Sequence, residues 1–140
     1  MERAKRAVES FEKTFNRLKE VVDNPSLMQI FSGEFLVEIC IKRFEFTFEA
    51  LWKASREVLK SMGMECNSPR SRFRELIAEG PLSVEFEPVL AELVKVRNLA
   101  VHVYDEKTAE ELFNRINSPE VVKTFEACLE ALKKTIEGDL

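Results

Sequence analysis

Apolar residues recur at intervals of three and four along most of the chain, which is the spacing of one face of an α-helix. The pattern begins in residues 3–22, and Asp23-Asn24-Pro25 ends that first helix. A loop or short helical turn leads to Gly33, and the longest helix is predicted over about residues 34–62, with Gly63 as its C-cap. Its inner face carries Phe44, Phe48, Leu51, Trp52, Ser55, Val58 and Leu59.

Serine–proline pairs and related signals mark the other helix boundaries. Ser68-Pro69 reads as an N-cap followed by proline in the first turn, and this short helix stops at Gly80-Pro81. Three later helix starts are marked by Glu87-Pro88, Asp105 and Ser118-Pro119. Amphipathic helices with short connections bury their apolar stripes best in an antiparallel arrangement. We therefore predict an all-α, up-and-down bundle of four to five helices, forming a single domain over residues 1–140.

Composition and charge narrow the functional classes. Apolar residues are 45% and charged residues 33% of the 140 residues, which is typical of a globular protein. The net charge of -4 predicts that any nucleic-acid contact is local. Cys40, Cys66 and Cys128 lack metal-ligand spacing, so we expect reduced, buried thiols and no metal. The sequence shows neither an apolar run of bilayer length nor the pattern of a signal peptide, so we expect a cytoplasmic protein that does not enter membranes. We also expect that the protein needs no cofactor.

Arg97 occupies an unusual position in the helix predicted to end near Ala100. With about 100° per residue, Arg97 falls near the middle of a broad apolar face. An unpaired guanidinium is very costly to bury, so such a residue pairs with an acid, reaches water or binds an anion. Glu45 or Glu49 of the long helix would satisfy it, and so would a phosphate, which suits the planar fork. The sequence leaves both interpretations open.

The chain has one histidine and one tyrosine, and both follow Arg97 closely. A single histidine is usually packed or solvated, and a tyrosine in a helical seam is usually core, but the clustering of His102 and Tyr104 favours a site. In an unbroken helix His102 would lie about 140° around from Arg97. The two side chains converge only if the helix ends near Ala100, which a cap at Asp105 favours, or if a second subunit supplies one of them.

Two stretches of sequence carry a family resemblance. Residues 97–106, RNLAVHVYDE, resemble the R-x-x-x-x-H-x-Y motif of HEPN domains. Residues 42–53, KRFEFTFEALWK, resemble the long-helix signature of the nucleotidyltransferase substrate-binding proteins, or HepT-like toxins, within that superfamily. Ser68-Pro69-Arg70 also fits its usual place. The resemblance extends over nearly the whole chain and implies a helical homodimer that binds a minimal nucleotidyltransferase.

In many relatives, the resemblance further implies a metal-independent endoribonuclease toxin. Arg97 and His102 would be its catalytic pair, with Asn98 as their polar neighbour. Tyr104 would match the residue that the nucleotidyltransferase silences by attaching AMP. Asn98 and Tyr104 are therefore also candidates for substrate binding.

Glu45 and Glu49 are further candidates at the same site, where they orient Arg97 or line an interface. Cleavage of RNA without a metal needs a group that moves the 2'-hydroxyl proton and a cation that stabilises the phosphorane. A histidine titrating near neutrality and a permanently charged arginine suit these two roles. A local basic rim is predicted from Arg70, Arg72, Arg74 and Lys95.

Three functional classes remain at this point. The first is a ribonuclease toxin, and the second is a non-catalytic subunit that binds a nucleotide or substrate and complexes with the transferase. The third, a purely structural helical dimer, is disfavoured by the cluster of Arg97, His102 and Tyr104. The first two classes use the same visible residues, so the sequence does not separate an enzyme from a binding subunit.

Overall fold

The computed structural model describes residues 1–22, 24–30, 33–102 and 105–138, and these residues contain helices but no strand. The helices are α1 (Glu2–Val21), α2 (Pro25–Ile30), α3 (Gly33–Ser61), α4 (Pro69–Glu79), α5 (Glu87–Ala100), α6 (Glu106–Ile116) and α7 (Pro119–Ile136), with a 3-10 turn at Val84–Phe86. None of the described helices combines the length and the apolar character needed to cross a lipid bilayer. The predicted all-α fold is confirmed.

Phenylalanine side chains form the centre of the core. Phe125 on α7 lies 5.6 Å from Phe15 and 6.1 Å from Phe11, both on α1, measured between ring centroids. Phe44 on α3 lies 6.1 Å from the same ring, with the two planes tilted by 62°. Such edge-to-face contacts suit the charge distribution of aromatic rings. The cluster therefore joins α1, α3 and α7 in one tightly packed region.

Helix α3 connects this core to the rest of the molecule. Its 29 residues make it about 44 Å long at 1.5 Å per residue. One side is buried against α1 and α7, and α4, α5 and α6 also pack on this helix. Away from that buried side, residues three and four apart form a second stripe along the helix, consisting of Glu45, Glu49, Trp52 and Arg56.

Side-chain caps fix several helix ends where the sequence predicts them. Ser68 accepts a hydrogen bond from the Ser71 backbone nitrogen at 3.2 Å and completes a capping box at the start of α4. Asp105 accepts bonds from Thr108 at 2.7 Å and 3.0 Å, which lowers the pKa of the Asp105 carboxyl. Helix α7 begins at Pro119 after Ser118 as predicted, but the Ser118 hydroxyl donates to the Arg115 carbonyl at 2.8 Å and makes no cap bond to α7.

Candidate functional site

Arg97 lies in the last turn of α5 and reaches across to α3. Its Nε donates a hydrogen bond to Glu49 Oε1 at 2.7 Å, and a terminal nitrogen forms an ion pair with the same carboxylate. Its Nη1 donates to Asn98 Oδ1 at 3.3 Å, and the guanidinium carbon lies 5.7 Å from the centre of the Trp52 ring. Of the two carboxylates proposed from the sequence, Glu49 is therefore the partner of Arg97.

The position of Arg97 on the helix differs from the sequence prediction. Its side chain is 29% exposed and lies at the edge of the buried face, whereas the prediction placed it near the middle. The apolar face on which the prediction was based included Val101, but α5 ends at Ala100 and Val101 is 47% exposed. Val96 is buried on this face. Arg97 therefore keeps a solvent-facing side on which an anion has access to it.

His102 follows the end of α5 on the connection to α6. The helix ends at Ala100 as predicted, and the His102 backbone nitrogen donates to the Leu99 carbonyl at 3.0 Å. The imidazole is exposed, and within the described residues it forms neither a hydrogen bond nor an ion pair. The end of the helix thus exposes His102, but no described contact joins it to Arg97.

Tyr104 lies outside the described residues, together with Val103. The described chain resumes at Asp105, which is exposed and caps α6. The roles predicted for Tyr104, as a substrate-binding residue and as the site of AMP attachment, stay predictions.

Glu45 takes part in a different surface from that of Arg97. It lies 3.5 Å from Lys42 Nζ on α3 and lines a cavity of about 890 Å³ between the first half of α3 and α6. The cavity also reaches Ala100 and Asp105, on either side of the connection that carries His102. The acidic side chains in its lining are Glu34, Glu38, Glu45, Asp105, Glu106 and Glu110. This negative lining suits a cationic group and disfavours a phosphate.

Trp52 and Arg72 belong to the surroundings of Arg97, although the sequence placed Trp52 only on the inner face of the long helix and Arg72 only on a basic rim. The guanidinium carbon of Arg72 lies 5.0 Å from the Trp52 ring centre, and its Nε donates to the Cys66 carbonyl at 3.0 Å. Arg72 is 7% exposed, so its predicted place on an exposed basic rim is wrong. The available signal was its spacing of four residues from Leu76, which puts both residues on the buried face of α4.

The other members of the predicted rim are at the surface. Arg70 and Lys95 are exposed, and Arg74 Nε lies 3.7 Å from a Glu87 carboxylate oxygen. Among the described histidine, cysteine, aspartate and glutamate residues, no group of three or more is arranged to hold a metal ion.

The described residues form a helical bundle with R-x-x-x-x-H at the end of α5, which packs on the Trp-containing α3. The family model described as "nucleotidyltransferase substrate binding protein like" matches residues 2–137. The chain therefore belongs to this family. No curated protein sequence shows significant similarity to it.

Two solved structures support the fold. A protein from Thermus thermophilus is 31% identical, with a TM-score of 0.75, over 88% of this chain and 98% of its own. A Shewanella oneidensis HEPN toxin, solved in tri-AMPylated form with its MNT antitoxin, gives a TM-score of 0.73 at 16% identity. That match covers 99% of both chains, and at this identity it supports the fold alone.

Proposed function

We propose that this protein is the toxin-like subunit of a two-component nucleotidyltransferase system, and that it cleaves RNA without a metal ion. The observation that carries the proposal concerns Arg97, whose side chain is paired with Glu49 and partly exposed. It lies five residues before the only histidine of the chain. Glu49 and Asn98 fix the orientation of the guanidinium. A fixed cation with one open side is what stabilisation of a phosphorane requires.

The reaction needs only groups from this chain and from RNA. His102 accepts the proton of a ribose 2'-hydroxyl while its oxygen attacks the adjacent phosphorus. The bond from phosphorus to the 5'-oxygen breaks, and that oxygen takes up the proton that His102 accepted. The products are a 2',3'-cyclic phosphate and a 5'-hydroxyl. Arg97 stabilises the negative charge on the non-bridging oxygens between these two states.

A homodimer completes the proposed site, because His102 makes no described contact with Arg97 of its own chain. Leu99 and Val101, at the same end of α5, are 54% and 47% exposed, which supports a partner surface there. Two copies meeting near α5 bring the pairs into one cleft. Sedimentation at micromolar concentration is expected to give a dimer.

We further propose a minimal nucleotidyltransferase as partner and Tyr104 as its target. The structurally similar Shewanella protein is described as AMPylated and bound to an MNT antitoxin. The phenol oxygen would bond to the α-phosphorus of ATP, and pyrophosphate would leave. The added phosphate places negative charge two residues from His102, where it competes with RNA for Arg97. With the transferase and ATP, the intact mass is expected to rise by whole AMP units, and Tyr104→Phe is expected to stay unmodified.

The decisive experiment is cleavage of RNA by the purified protein, with and without EDTA. Arg97→Ala and His102→Ala are each expected to abolish cleavage while the helical circular dichroism spectrum is retained. Arg17→Ala, which removes an exposed arginine of α1, serves as the control. Cleavage that survives His102→Ala, or that requires a metal, contradicts the proposed mechanism.

The alternative is a non-catalytic subunit that binds a nucleotide or substrate for the transferase. The pairing of Arg97 with Glu49 favours it, since the guanidinium already has a counter-ion. Absence of RNA cleavage, combined with ATP binding that Arg97→Ala weakens, would favour this function over the first.

A further inference from the structure

Two guanidinium groups lie near the Trp52 ring and a third arginine follows it on α3, and of these three arginines one has a carboxylate partner among the described residues. Arg97 and Arg72 lie 5.7 Å and 5.0 Å from the ring centre. Arg56 follows Trp52 by one turn on the same stripe of α3 and is close enough to lower the pKa of Arg72. Arg97 pairs with Glu49, whereas Arg56 and Arg72 form no ion pair with any described acid.

Arg72 carries an uncompensated charge in a nearly buried position. It is 7% exposed, and its one described hydrogen bond runs from Nε to a backbone carbonyl. Burial is the main cause of its lowered pKa, followed by the positive charge of Arg56. A desolvated cation beside a second cation is unfavourable, and an anion bound between them relieves both costs.

The terminal nitrogens of Arg72 remain available to such an anion. Among the described side chains, two polar atoms are enclosed by the protein and have no hydrogen-bond partner, and these are Trp52 Nε1 and Ser55 Oγ. The terminal nitrogens of Arg72 are not among these enclosed atoms, and no described group accepts a hydrogen bond from them. A planar fork with two free nitrogens is suited to two phosphate oxygens.

We infer that Arg72 and Arg56 form a phosphate-binding subsite beside Trp52, which holds an RNA backbone phosphate next to the one at Arg97. This inference rests on the proposed RNA cleavage. Arg72 and Arg97 flank the same ring, so their guanidinium carbons are no farther apart than the sum of 5.0 Å and 5.7 Å. A stacked strand advances about 3.4 Å per nucleotide, so one strand reaches both groups within a few nucleotides.

The subsite recognises charge and not base identity. Two guanidinium groups lie 5.0 Å and 5.7 Å from the Trp52 ring centre, and the ring Nε1 is enclosed, so it is not available as a donor to a base. Phosphate contacts position a strand without reading its sequence. The subsite therefore sets the register of the strand at Arg97 and leaves base preference to other contacts.

The only tryptophan of the chain reports on this subsite directly. The experiment titrates the full-length protein with a 2'-O-methyl oligoribonucleotide, which cannot be cleaved, and follows Trp52 fluorescence. Arg56→Gln and Arg72→Gln are each expected to weaken binding about tenfold. Each is also expected to reduce the slope of log affinity against log salt by about 0.7, as for one lost phosphate contact on a single strand. ATP and inorganic phosphate are titrated in parallel.

Arg17→Gln is the matched control, because it removes the same charge from an exposed residue of α1. It is expected to bind within about twofold of wild type. Arg56 is exposed, so Arg56→Gln keeps the test valid even if Arg72→Gln fails to fold. The subsite is refuted if both variants bind the oligonucleotide like wild type, or if only ATP shows the dependence on these arginines.

The outcome separates the subsite from the proposed catalysis. Arginine-dependent binding of the oligonucleotide, with no cleavage of unmodified RNA, sustains the subsite and refutes the ribonuclease function. Cleavage of RNA that is indifferent to Arg56→Gln and Arg72→Gln, in both binding and KM, refutes the subsite alone.

Discussion

Arg97 Nε donates a hydrogen bond of 2.7 Å to Glu49 Oε1, and this contact ties the end of α5 to the middle of α3. The two residues are 48 positions apart in the chain. Their side chains are 29% and 46% exposed, so solvent weakens the ion pair as a source of stability. Its main effect is to hold the guanidinium in one orientation.

Glu49→Gln is expected to impair the orientation of the Arg97 guanidinium while leaving the stability of the fold nearly unchanged. The amide preserves the size of the side chain but removes its charge, so Arg97 is held less firmly. We expect kcat for RNA cleavage to fall about tenfold with KM unchanged or lower, because a freed cation still attracts phosphate. The melting temperature should change little. Glu45→Gln, one turn earlier on α3, is the control, and an equal loss of kcat there would contradict the role of Glu49.

Phe125→Ala is expected to be strongly destabilising. The ring contacts Phe11, Phe15 and Phe44 and is fully buried, so its removal leaves a cavity where α1, α3 and α7 meet. The free energy of unfolding, from urea titrations followed by circular dichroism, should fall by about 3–5 kcal/mol. Phe46 is 58% exposed, and the matched change Phe46→Ala should cost less than about 1 kcal/mol.

The three free thiols should react at different rates. Burial raises the pKa of the Cys40 thiol to about 11, although a hydrogen bond from Asn117 lowers it to a smaller extent. Burial also raises the pKa of the Cys128 thiol to about 12. The thiolate is the reactive form, so both remain unreactive near pH 8. Cys66 is half-buried and reachable. A thiol reagent should therefore label one equivalent quickly and the others only after denaturation, and three equal rates would refute this order.

Gly80→Ala is expected to disturb the end of α4. An added Cβ would lie 2.6 Å from the Leu76 carbonyl oxygen, which is too close for any real contact. The backbone must shift, at a cost of about 1–3 kcal/mol. Gly33→Ala is the control, because within the described residues no atom outside its chain neighbours and its own helix backbone lies within 4 Å of the added carbon, and alanine favours the helix that starts there. Thermal unfolding should show a loss for Gly80→Ala and no loss for Gly33→Ala.

Local signals explain why the helix boundaries could be predicted. A helix cap depends only on residues a few positions apart, as in serine–proline pairs, at glycine and at Asp105. The starts of α4 and α6 therefore follow from short stretches of sequence. The exposure of Arg97 could not be predicted in the same way. It depends on where α5 stops and on Glu49 and Trp52, which are distant in sequence.

The burial of Arg72 was missed for a related reason. Arginines on a short helix are usually solvated, and the spacing of four residues from Leu76 is a weak signal beside the packing against Trp52 of α3, which places this side chain inside. The motif identified Arg97 and His102 as candidates, but it carries no information on how the two side chains meet. That relation depends on a second copy in the proposed dimer, which periodicity within one chain does not encode.

Helix α3 carries core residues on one stripe and site residues on the other, so the orientation of the site depends on how the core packs. Glu49 and Trp52 stand on the same rigid cylinder as Phe44 and Phe48, so a rotation forced by repacking the core also turns the site. A rotation of about 10° moves the surface of a helix about 5–6 Å in radius by about 1 Å. A misplacement of about 1 Å can lower a reaction rate about a hundredfold. Conservative exchanges among the core phenylalanines therefore alter the direction of Arg97 well before they unfold the bundle.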